Sequence, residues 1–66
     1  MKPMTGREML RLLREHGWQV VRIRGSHHIL SKQGSRSILT VPVHGNKTLR
    51  RGTQEFLLKQ AGIESK

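Results

Sequence analysis

The chain has 66 residues and no cysteine, so disulfides and thiolate metal sites are excluded, and residues 1–66 suffice for one small domain. Thirteen lysines and arginines against four glutamates give a formal net charge of +9. So one-sided a field attracts polyanions, nucleic acid or an acidic protein, rather than only keeping the chain soluble. No apolar run is long enough for a signal peptide or a membrane span, and a cytoplasmic location is expected.

The first element is marked by its own cap. Thr5 and Glu8 form a Thr-x-x-Glu capping box, and Met4 and Met9 occupy the two staple positions around it. The pattern predicts a helix over 6–16 with Met9, Leu10, Leu12 and Leu13 as its apolar stripe and Gly17 as its stop. Trp18, the single tryptophan, is expected to pack beside that stripe, and His16 is read as a structural residue of the last turn.

Three β-rich runs follow: "WQVVRIR", "HHILSK" and "SRSILTVPVH". The turn signal "KQGS" separates the last two, and "HGNK" breaks the third. Pro42 marks an edge or a strand end. A second helix is predicted to start at Gly52 or Thr53. Phe56, Leu57 and Ala61 form its apolar side, Gly62 its stop, and Ile63 covers the terminal turn. The resulting order is α-β-β-β-α: an α+β fold with a three-stranded antiparallel sheet, both helices on one face and the other face open.

The stretch "VRIRGSHHIL" holds the candidate chemistry. If Gly25-Ser26 is a two-residue loop, glycine in its first place fits a type II′ turn. Arg24 then stands opposite His27, Ile23 opposite His28, Arg22 opposite Ile29 and Val21 opposite Leu30. Alternation sends Arg22, Arg24, His27 and Ile29 to the open face and Val21, Ile23, His28 and Leu30 to the helix face. An exposed imidazole among arginines suits proton abstraction beside a bound phosphate, the arginines offsetting charge in a phosphorane-like transition state. The plainer reading is a polar hairpin tip for His27 and a half-buried structural ring for His28. His44, at the end of the third strand, could be a second acid or base, a phosphate contact or a turn residue.

Other constellations are weak. There is no aspartate, no His-Glu-x-x-His pattern and no phosphate-cradling P-loop. Ser26 beside His27 has no evident acid partner, and a turn serine is its ordinary explanation. Three strands between the two helices argue against a helix-turn-helix.

The runs "REMLRLLREHGWQVVRIRGSHHIL" and "TVPVHGNKTLRRGTQEFLLKQAGI" together resemble the HicA toxins of HicA–HicB toxin–antitoxin systems. The likeness rests on Gly17-Trp18, Gly25-Ser26-His27, Val41-Pro42 with His44, Gly52-Thr53 and the ending Lys59 to Ile63. It implies a double-stranded-RNA-binding-domain-like fold, an mRNA-cleaving toxin that arrests translation and growth, and a cognate HicB-type antitoxin that shields the site. The free toxin would be a monomer and the neutralised form a hetero-oligomer. The family's catalytic histidine follows the Gly-Ser step, which maps onto His27, with His28 as the alternative and Gly25 supporting the turn. The chemistry expected is metal-independent, cofactor-free attack of the RNA 2′-OH on the adjacent phosphate, with His44, Lys47 or water protonating the leaving group. Arg22, Arg24, Lys32, Arg36, His44, Lys47, Arg50 and Arg51 are expected near the RNA backbone. With Trp18 and Phe56 both expected in the core, base stacking has few platforms and sequence preference should be weak.

The rival readings are a non-catalytic double-stranded-RNA-binding module and a partner-binding module on the same fold. The first would favour lysines at the start of the second helix, where this chain has "GTQEF". A degenerate toxin is a third, against which the intact Gly25-Ser26-His27 speaks.

Overall fold

The structure is a computed structural model, and residues 2–63 are described. Helix α1 (Gly6–Glu15) is followed by strands β1 (Trp18–Arg24), β2 (His27–Lys32) and β3 (Ile38–Pro42) and by helix α2 (Arg51–Gln60). The strands form one antiparallel sheet in the order β1-β2-β3. No helix among the described residues is long and apolar enough to cross a membrane.

Local chemistry accounts for both helix ends. The Thr5 hydroxyl accepts from the Glu8 amide at 3.1 Å while the Glu8 carboxylate accepts from the Thr5 amide at 2.8 Å, completing the capping box. Gly17, at φ 93°, ends α1, and His16 Nδ1 lies 2.9 Å from the Leu12 carbonyl oxygen in the last turn. At the end of α2 the Gly62 amide donates to the Lys59 carbonyl and the Ile63 amide to the Leu58 carbonyl. This pair of bonds, with Gly62 at φ 73°, is a Schellman motif.

Both helices cover the same face of the sheet. Met9 and Leu13 of α1, Leu57 and Leu58 of α2, Trp18, Leu49, and Leu30, Leu39 and Val41 of the sheet form one buried cluster. Burying each such side chain contributes about 1.5–3 kcal/mol. Leu30 pairs with Leu39, and His28 with Val41, so these residues share the covered face.

The covered face is narrower than its apolar residues suggest. Val21 and Ile23 were expected beneath the helices, yet they are 58% and 59% exposed. A bulge between Val20 and Arg22 explains Val21: Val20, not Val21, pairs with Leu30, and Val20 packs against the core. Ile23 keeps its place opposite His28, but it stands past the helices' cover.

The face of α2 also differs from expectation. Its first helical residue is Arg51, one position before Gly52. Phe56 is 58% exposed, whereas Gln54 is buried with Leu57 and Leu58 in an i, i+3, i+4 stripe. Gln54 belongs there because it has backbone partners. Its Oε1 accepts from the Met4 amide at 2.7 Å, and its Nε2 donates to the Lys2 carbonyl at 2.9 Å. The segment held in this way continues into a Thr5–Thr48 bridge and a Leu49-to-Met4 backbone bond of 2.7 Å.

Candidate functional site

The β1–β2 hairpin has the two-residue loop that its glycine-serine step predicts. Gly25 has φ 59° and Ser26 does not have a positive φ, the combination of a type II′ turn. Arg24 pairs with His27, Ile23 with His28 and Arg22 with Ile29. The two adjacent histidines therefore point to opposite faces. His27 is exposed on the open face. Arg24 is its partner on β1 and Arg22 its diagonal neighbour, both exposed. On its other side His27 pairs with Pro42. His28 is half-buried toward the helices, and its Nδ1 is buried without a hydrogen-bond partner.

A long-range backbone bond brings the third histidine close. The Val43 amide donates to the Ser26 carbonyl at 2.7 Å, so the chain leaving β3 is tied to the hairpin tip and His44 is the next residue along. His44 is exposed. The Lys47 amide donates to the His44 carbonyl at 3.0 Å, closing a turn that begins at His44. Sequence periodicity could not foresee the Val43–Ser26 bond, because it joins residues 17 positions apart beyond the end of a strand. The "Pro42, then His44" order was its only local trace.

The α1 helix supports this end of the sheet. A Cβ at Gly6 would collide with the Pro42 carbonyl oxygen and press on Val43. The first turn of α1 is therefore seated on the residues that flank His27 and His44. Gln54 and the Thr5–Thr48 bridge pin the neighbouring segment, and sequence spacing alone does not mark them as supports. The signal was present as a glutamine at the apolar spacing of α2.

Not every expected residue joins this group. Lys32 lies five residues from His27, roughly 16 Å along an extended strand, and in the register of the covered face opposite Trp18. Its aliphatic stem runs along Gly17. Arg36 belongs to the β2–β3 connection at that same far end. Arg50 is the N-cap of α2 without a side-chain cap bond, and Arg51 pairs with Glu55 at 3.6 Å. The structure thus gathers Arg22, Arg24, Gly25, His27 and His44 at one end of the sheet. Lys32 and Arg36 stand at the other end, and Arg50 and Arg51 at the start of α2.

The open face offers little beyond these groups. Glu8 is engaged in its capping box and Glu55 with Arg51. Among the described residues no three histidine or glutamate side chains come together as a potential metal ligand set. Trp18 is buried and Phe56 lies on α2, so neither tryptophan nor phenylalanine stands on the open face of the sheet. The chemistry at hand is an accessible imidazole, a second one nearby, and two guanidinium groups able to grip a phosphate.

A family model for the HicA toxin of bacterial toxin-antitoxin systems matches residues 6–63, nearly the whole chain. No curated protein matches the chain.

Proposed function

The chain belongs to the HicA toxin family of bacterial toxin–antitoxin systems, and on that footing we propose that it is an mRNA interferase whose catalytic residue is His27. The observation that carries this reading is the hairpin register. It sets an accessible imidazole directly opposite Arg24 on the uncovered face, while His28 turns toward the helices.

In this mechanism Arg22 and Arg24 hold the scissile phosphate. His27 accepts the proton of the neighbouring 2′-OH, and the 2′-oxygen attacks phosphorus. The bond from phosphorus to the 5′-oxygen breaks, and the departing oxygen takes a proton from a second group. His44 is the group that the Val43–Ser26 bond brings to the tip; Lys47 stands at the far end of the same turn. The products are a 2′,3′-cyclic phosphate and a 5′-OH. The guanidinium groups offset the extra negative charge on the phosphorane-like transition state. A HicB-type antitoxin would silence the toxin by covering this face.

The test is controlled expression of the wild type, His27→Ala and His28→Ala, followed by growth and by mRNA integrity. Arrest with RNA decay is expected for the wild type and His28→Ala and not for His27→Ala, with purified His27→Ala slowed at least about a hundredfold. Full-rate cleavage of RNA lacking the scissile 2′-OH would exclude the mechanism. Intact RNA at full wild-type expression would favour a binding module.

A further inference from the structure

The hairpin face leaves one strongly charged surface unexplained. Arg7, Arg11 and Arg14 stand at i, i+4 and i+7 of α1, on one side of the helix. All three are exposed, and they line a shallow depression around the half-buried Leu10. Arg51–Glu55 is the ion pair among the described residues, and none of the three arginines takes part in one. Glu15 borders the same depression without pairing to Arg11. Like charges four residues apart repel, and a cation in the first turn, as at Arg7, opposes the helix dipole. Arg14 in the last turn suits the dipole, but Arg7 and its spacing to Arg11 run against local helix preference, which is expected of a surface kept for another purpose.

The position of the stripe suggests its purpose. Gly6 is seated against Pro42, the cross-strand partner of His27. Arg7 therefore begins at the hairpin end of the sheet, on its helix-covered side. From there the stripe runs along α1 for seven residues, about 10 Å. A strand that crosses His27 and wraps round this end of the sheet to the helix side would reach Arg7, then Arg11 and Arg14. Such a strand needs them. The open face has no tryptophan or phenylalanine for base stacking, and Lys32 and Arg36 lie at the far end of the sheet. Its hold on RNA must come from phosphates. All three side chains are arginines, whose planar fork matches phosphate better than lysine does.

We propose that the Arg7–Arg11–Arg14 side of α1 is a second phosphate-binding surface that holds the RNA flanking the cleaved bond. The proposal rests on the reading of the open face as an RNA-cleaving surface.

Binding is measured in the cleavage-silent His27→Ala chain, with a single-stranded RNA long enough to leave the sheet and a short one that only covers it. Replacing the three arginines by glutamine keeps good helix formers in α1, and circular dichroism checks the fold. Between about 50 and 200 mM salt, removing three phosphate contacts should flatten the slope of log K against log salt by about 2 for the long RNA. The short RNA and a Lys59→Gln control should keep their slopes. An unchanged slope for the long RNA overturns the proposal, as does an equal loss for both RNAs. So does loss of affinity for an acidic protein with RNA binding intact. Cleavage by the His27 chain is scored separately. If the wild type leaves RNA whole while the slope still falls, the cleavage reading fails and the second surface stands.

Discussion

On the helix side of the sheet Leu30, Leu39 and Val41 are at most 1% exposed, while on the open side Ile38 is 59% exposed and Arg22, Arg24 and His27 stand in solvent. The members of each contrast are chain neighbours. Leu39 follows Ile38, and His28 follows His27. The covered side holds the fold together through apolar burial. The open side contributes little to that burial and carries the charges and the accessible imidazole. Apolar burial and the proposed chemistry are therefore divided by strand alternation, and a one-residue slip of register would exchange their side chains.

The sharpest way to break this comparison is to truncate one member of a neighbouring pair. Leu39→Ala should cost about 3 kcal/mol, a large share of the stability of so small a domain. Ile38→Ala, one residue away, should cost less than about 0.5 kcal/mol. Urea midpoints of the two variants measure the difference. Equal losses would mean that the open face is covered in solution. Next in size is Gln54→Leu, which keeps an apolar helix face but leaves the Met4 amide and the Lys2 carbonyl without partners. We expect a loss of about 2 kcal/mol and faster amide exchange at Met4. An unaltered midpoint would show that leucine packing replaces both bonds. Third in stability is Gly25→Ala. No atom lies within 4 Å of the added Cβ, so the cost is backbone strain at φ 59° alone, about 1 kcal/mol. Its effect on RNA cleavage should be larger, about tenfold or more, because the turn aims His27. Cleavage that fell only in proportion to the unfolded fraction would detach the turn from the chemistry.

Much of this division is legible in the amino-acid sequence, wherever the determining interaction is local. Thr5 and Glu8 announce the start of α1 because both bonds of the capping box lie within three residues. The Gly25-Ser26 step sets the hairpin register because a type II′ turn requires glycine at its first place, and that register separates His27 from His28. Distant interactions are not legible. Val21 has the spacing of a core residue, but the bulge is a two-strand property that apolar alternation does not encode. Phe56 is the more apolar choice for the buried side of α2. Gln54 is buried in its place because the Lys2–Met4 backbone, some 50 residues away, offers it a donor and an acceptor. His44 and Lys32 divide for the same reason. Both are polar residues at strand ends, and the Val43–Ser26 bond draws only one of those ends to the hairpin tip.

The bulge at Val21 has a further effect on how two molecules can meet. β1 is an outer strand of the sheet, seven residues long, with the apolar side chains of Val21 and Ile23 exposed. A straight strand of that composition would be a template for growth of the sheet from one chain to the next. The bulge interrupts its row of donors and acceptors and twists it away from flatness. The same kink that removes Val21 from the core thus spoils the edge for strand addition. A β1 edge interrupted in this way is a poorer template for a second copy of the chain than a straight one.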